Sequence, residues 1–193
     1  MSSLRERIEL LESDLLARPP RITVHSDLPF AILRYGPEQE WELRREIRLF
    51  AVRLEQAGKK VHSISMAELL WQSIDETEGL EAVVGLERER GYLAAQEQVT
   101  TYLADADWRP LANLLLERLV KLDASSDVAF LTRVAVMSPA IYYVHQLLNE
   151  IHGQTRVPTI LFYPGSIEGT TRLRFMDRKD RDALGDYRVK IYG

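Results

Sequence analysis

Apolar residues recur along this chain in two periods, and the alternation between the periods predicts an α/β fold. Leu4, Ile8, Leu11 and Leu15 are spaced for one face of a helix, which Pro19-Pro20 ends. Leu28 to Tyr35 reads as a strand closed by Gly36-Pro37. A helix follows from Glu38 to Ala57, with Leu43, Ile47, Phe50, Ala51 and Leu54 as its apolar stripe and Gly58 where a C-terminal cap belongs. Its charged residues Glu42, Arg44, Arg45, Glu46, Arg48 and Arg53 are expected on solvated faces, tied by local ion pairs. Lys60 to Ser65 is short and β-like, and Ser65-Met66-Ala67-Glu68 matches a capping box that opens the next helix.

From Glu76 to Asp107 the chain is polar and helical, broken by Gly79, Gly85 and Gly91, with apolar residues too clumped for a clean period. This predicts an inserted helical segment over 76–108. Pro110 then opens a helix whose apolar face is Leu111, Leu114, Leu115, Leu119 and Leu122. Val128 to Met137 is the most β-like run and is predicted to be a central strand; Ser138-Pro139 is expected to cap a helix carrying Ile141, Val144, Leu148 and Ile151. Thr159 to Tyr163 reads as a buried strand that Pro164-Gly165 breaks. Thr171 to Met176 alternates charged and apolar residues, as a strand with one wet face does. The short connection between them predicts antiparallel pairing. A last strand is expected over Tyr187 to Tyr192. Together these elements predict a single α/β domain over 1–193: a mixed, mostly parallel sheet with helices on both faces, an N-terminal helix at 1–20 and the helical insertion at 76–108.

Composition narrows the function classes. A chain of 193 residues with 46% hydrophobic residues can bury one sizeable core. A net charge of −4 argues against a protein whose main task is gripping phosphate backbones. The basic C-terminal residues, Arg172, Arg174, Arg178, Lys179, Arg181, Arg188 and Lys190, alternate with Asp177, Asp180, Asp182 and Asp186, so they make no clear phosphate track and no direct nucleic-acid binding is expected. With no cysteine, disulfides, thiolate metal sites and a cysteine nucleophile are excluded. No run reaches the ~18 apolar residues that span a bilayer, and the charged N-terminus is no signal peptide, so a cytoplasmic chain without membrane contact is expected.

The search for catalytic chemistry returns little. Gly165-Ser166-Ile167-Glu168-Gly169-Thr170-Thr171 superficially resembles a phosphate loop, but it has too few residues between its glycines, no lysine after Gly169, and a strand rather than a helix behind it. His145 and His152 stand about 10 Å apart along one helix, too far for a shared zinc. No Gly-x-Ser-x-Gly elbow or His-Glu-x-x-His helix is present. Arg133 interrupts the apolar run from Val128 to Met137, where a buried arginine needs an internal partner or a cleft. A small hydrolase or nucleotide-binding enzyme built on Arg133 and the loop after Tyr163 is the catalytic alternative. Otherwise neither cofactor nor metal is expected.

Thr159-Ile160-Leu161-Phe162-Tyr163-Pro164-Gly165, then Leu173-Arg174-Phe175-Met176 and the closing Tyr187-Arg188-Val189-Lys190-Ile191-Tyr192, resemble the BrxB family of bacteriophage-exclusion (BREX) systems. Leu28 to Tyr35 and Val128 to Met137 fit the same family in the same order, so the resemblance covers nearly the whole chain. It implies a defence component encoded beside a PglZ-type phosphatase-like protein, a PglX-type methyltransferase and a large ATPase. Such systems methylate host DNA and block replication of unmarked phage. The resemblance supplies no catalytic residues and implies an adaptor or assembly subunit that docks on other BREX subunits, a PglZ-like one first among them. A subunit that acts through its surface needs aromatic and arginine anchors. Tyr163, Gly165, Glu168, Arg172 and Arg174 are the candidates, and the apolar stripe of the first helix is a second possible docking face. Self-association is left open.

Overall fold

A computed structural model describes residues 3–22, 29–138, 141–169, 172–178 and 189–193. Six strands form the sheet: β1 (Phe30–Tyr35), β2 (Lys60–Ser65), β3 (Asp127–Thr132), β4 (Thr159–Glu168), β5 (Arg172–Phe175) and β6 (Lys190–Tyr192). The order is β2-β3-β4-β1-β6, all parallel, with β5 antiparallel to the far end of β4. This is the single α/β domain with a mostly parallel sheet that the alternation predicted.

Strand alternation sends successive side chains to opposite faces, and each face acquires its own helices. Ala31, Leu33, Tyr35, Val128, Phe130, Ile160 and Phe162 meet α1 (Leu4–Leu16) and α2 (Glu40–Gln56) on one face. There Phe130 stacks on Phe50 at 5.1 Å and meets Phe162 edge-on at 5.2 Å. Phe30, Ile32, Ala129, Leu131, Leu161 and Tyr163 meet the other helices on the opposite face. Those are α3 (Met66–Asp75), α5 (Tyr92–Ala104), α6 (Leu111–Leu119) and α7 (Val144–Glu150). The remaining helix, α4 (Gly79–Arg90), has no fully buried residue and packs mainly along α5.

The first helix is fastened at both ends. Ser3 Oγ accepts from the Glu6 N–H while the Glu6 carboxylate accepts from the Ser3 N–H, a complete capping box. Near its C-terminus Asp14 accepts hydrogen bonds from Lys190 Nζ at 2.6 Å and Tyr192 Oη at 2.7 Å. Burial raises the Asp14 pKa, but these two donors outweigh it and hold the carboxyl below its ordinary value. The edge strand β6 is thereby bound to α1.

Several local expectations are corrected. Leu28, Pro139, Thr171, Tyr187 and Arg188 lie outside the described residues; the first strand is described from Phe30, the fifth from Arg172 and the last from Lys190. The stripe of α1 is fully buried against the sheet, so it offers no docking face. Glu46, expected in solvent, is 9% exposed. Of the predicted capping box at Ser65, the Glu68 N–H to Ser65 Oγ bond forms at 3.3 Å. Strand β3 stops at Thr132, because Arg133 takes a left-handed conformation (φ 56°) and turns the chain into a 3-10 turn over Val134–Met137. Ser138 ends that turn instead of capping a helix, and α7 starts at Val144. The chain does not break at Pro164-Gly165: β4 runs on to Glu168, exchanging parallel partners for antiparallel β5 at that dipeptide.

Candidate interaction surface

Beyond the parallel sheet, β4 and β5 form a hairpin that carries four of the five sequence-predicted contact residues, and the fifth, Tyr163, stands just before it, still paired with Arg34 of β1. Tyr163 anchors it from inside. The residue is 2% exposed, and its ring meets Phe175 edge-on at 5.5 Å. The next side chain toward the sheet edge, Pro164, has no N–H to donate, but its carbonyl accepts from Met176 N–H at 2.9 Å. Gly165 follows with φ 147°, and a Cβ built there would lie 2.0 Å from the Arg174 carbonyl oxygen. Only glycine lets the two backbones come this close.

Alternation then divides the hairpin into a dry and a wet side. Leu173 is 1% exposed, with Ile167 and Phe175 packed beside it on the core. On the other side Glu168 stands opposite Arg172, and its carboxylate accepts from Arg174 Nε at 2.7 Å on the diagonal. Arg174 also donates from Nη1 to the Arg178 carbonyl at 2.8 Å, so its guanidinium is used within the hairpin. Arg172 is exposed and has no ion-pair partner among the described residues. Burial therefore makes Tyr163 and Gly165 scaffold, Glu168 and Arg174 a brace, and Arg172 the side chain presented to solvent. Among the described residues β5 pairs only with β4, so its outer edge carries no strand.

The other singled-out residues are not drawn into this site. Arg133 is exposed at the end of β3, not buried in a strand. It has no ion pair among the described residues. His145 is half-buried beside the Tyr143 ring at 5.6 Å, and burial lowers its pKa, so it is neutral at pH 7. His152 lies exposed beyond the end of α7. His62 Nε2 approaches Asp127 at 3.2 Å on the edge strand. Among the described residues no three acidic or histidine side chains gather as a metal site. None of their helices is long and apolar enough to cross a membrane.

One surface escaped the sequence reading. Trp41 is 78% exposed at the start of α2, with the Arg44 guanidinium 4.7 Å above its ring, and Leu49 and Val52 are exposed along the same side of the helix. The signal was present as apolar residues out of phase with the buried stripe.

Comparison with known proteins decides the family. The model of the family described as BREX protein BrxB matches residues 62–191, well over half of the chain. This chain belongs to the BrxB family. A relative, the BREX protein BrxB of Bacillus cereus (strain H3081.97), is 24% identical over 160 residues, which cover 80% of each chain. No solved structure matches. Membership supports a role in a BREX phage-defence system. The matched residues run from the middle of β2 to β6, so they include the whole hairpin and leave α1, β1 and α2 outside.

Proposed function

We propose that this protein is a non-catalytic adaptor or assembly subunit of a BREX system, docking onto other BREX subunits and first of all onto a PglZ-like one. The observation that carries the reading is the hairpin. It is held from within by Tyr163, Gly165 and the Glu168–Arg174 pair, and it presents Arg172 beside an edge that has no strand partner among the described residues. A strand edge supplies backbone hydrogen bonds to a partner, and an arginine fork supplies directional ones. Membership in the family supports the BREX setting, and the hairpin lies inside the matched residues.

Co-expression of the neighbouring BREX subunits and co-purification at physiological salt is the test. Arg172→Glu is the sharper probe, because Arg174→Glu also removes the brace to Glu168. A complex that Arg172→Glu dissociates supports the reading. Purification of the protein alone, with its neighbours present, refutes the adaptor role. If the complex forms and ignores the substitution, the contact lies elsewhere on the molecule. Turnover of nucleotides or phosphoesters by the isolated protein refutes the non-catalytic half of the proposal; binding without turnover does not.

A further inference from the structure

A parallel sheet whose connections leave on opposite faces opens a crevice beyond the carboxyl ends of its strands, and α/β proteins place ligands there. Here the chain leaves β1 for α2 on one face, whereas after β3 it turns at Arg133 into the 3-10 turn on the other. The side that β3 abandons is a cleft of about 190 Å³ between the first half of α2 and the ends of β2, β3 and β4. Ser63 and Thr132, the small residues facing α2 there, keep it open, and Phe162 with Leu43 and Ile47 forms its apolar wall.

The charge in this cleft is unbalanced. Arg44 donates to Glu40 at 2.8 Å, and Glu40 also accepts from the Tyr35 hydroxyl, so the one carboxylate among the described residues that line the cleft is already engaged. Arg48 and Arg133 also line it, both exposed and without an ion pair among the described residues. Arg133 reaches this position through the left-handed turn that ends β3. The cleft thus combines two guanidiniums that have no ion pair among the described residues with the Ser63 and Thr132 hydroxyls, whose contacts with each other and from Thr132 to the Ile64 carbonyl, both 3.5 Å, are long enough to yield to a ligand.

We propose that this cleft is a binding site for the phosphoryl group of a phosphate-bearing ligand. Two unpaired positive charges match a phosphate dianion, and four donor groups match its oxygens better than the two oxygens of a carboxylate. Size sets a further limit. At ~30 Å³ per water the cleft holds about six, enough for a phosphoryl group and too little to bury a nucleotide, so the rest of a larger ligand lies outside. The site is separate from the hairpin and stands whether or not the adaptor reading does.

Calorimetric titration of the 193-residue protein with inorganic phosphate and with pyrophosphate, at constant ionic strength, tests the assignment, with malonate as the carboxylate control. Saturable binding of either phosphate is expected, weakened about tenfold or more by Arg133→Gln and by Arg48→Gln, since each removes a charge-assisted donor. Thr132→Val keeps the branched shape and should weaken it by a smaller factor. Arg172→Gln, on the hairpin, should leave it unchanged. Circular dichroism confirms that each variant is folded. The proposal is overturned if neither phosphate binds at millimolar concentration, if binding survives both arginine substitutions, or if malonate binds as tightly as phosphate.

Discussion

Replacing Gly165 by alanine is the most demanding test of how the hairpin is built. The new Cβ would sit 2.0 Å from the Arg174 carbonyl oxygen and 3.2 Å from the Met176 nitrogen. A carbon–oxygen contact needs about 3.3 Å. The β4 and β5 backbones must therefore part by roughly 1 Å or more, which breaks the Met176 N–H to Pro164 carbonyl bond. Overpacking of this kind costs about 1–3 kcal/mol. Holding a side chain at φ 147° costs about 1–3 kcal/mol more. The sum centres near 4 kcal/mol, a large part of the roughly 5–15 kcal/mol that holds a domain folded. At about 2–4 °C per kcal/mol, the melting temperature should drop by about 8–16 °C.

The chain has one cheaper escape, which is to detach β5. That would expose Leu173 and the half-buried Phe175 and limit the loss to about 2–4 kcal/mol. Amide exchange separates the two responses, because detachment deprotects all of β5 while the parallel strands stay protected, whereas a local parting frees Met176 alone. A Gly165→Ala protein that melts within about 2 °C of wild type, a change worth under 1 kcal/mol, and keeps Met176 protected would refute this geometry.

Four further outcomes follow from the contacts. Phe130→Ala removes a ring held between Phe50 and Phe162 and should cost about 4 kcal/mol by chemical denaturation. Ser65→Ala removes the N-terminal cap of α3 and should cost about 1 kcal/mol in the same assay. Arg172→Glu should leave stability within about 0.5 kcal/mol, whereas Arg174→Glu should lose about 1 kcal/mol with its half-exposed pair. Asp14→Asn should cost about 2 kcal/mol at neutral pH, since it weakens the bonds from Lys190 and Tyr192. The folded-state pKa of Asp14 is depressed, so its contribution is full above about pH 4 and fades as pH falls through the folded value. Melting curves of wild type and Asp14→Asn should accordingly converge in acid; a gap that widens there would contradict the assignment.

Periodicity made most of this fold legible, because burial on a helix or strand follows one spacing. The stripes of α1 and α2, that of α6 as far as Leu119, and the buried core of β4 are where the pattern put them, while Leu122 lies past the helix end and is only partly buried. The failures fall where backbone conformation, not hydrophobicity, decides. Val134 to Met137 is as apolar as β3, yet Arg133 in the left-handed region ends the strand before it. Pro164-Gly165 looks like a terminator, but Pro164 needs only its carbonyl and Gly165 accommodates the close approach of β5. In the candidate surface, residue type showed that Arg172 and Arg174 were available. It could not show that Arg174 is spent on Glu168, which depends on the register of the hairpin. The cleft was hidden for a related reason: it arises from where α2 lies against the sheet, and that packing joins residues far apart in sequence.

One strand serves both working surfaces. Phe162 and Tyr163 are consecutive in β4, and alternation sends them to opposite faces. Phe162 walls the cleft beneath Arg133 and α2, while Tyr163 holds Phe175 and with it the hairpin. A substitution at either position therefore acts first on its own side of the sheet. The side chains of Arg133 and Arg172 belong to different elements, and Arg172 is not among the described residues that line the cleft. Charge changes at those two positions should consequently add without coupling, as substitutions at separated sites do. Phosphate affinity and partner capture measured on the double variant would then each equal the value in the relevant single variant. Any cross-effect would have to pass through β4 itself, and Gly165, where the strand exchanges one sheet for the other, is where such a link would be cut.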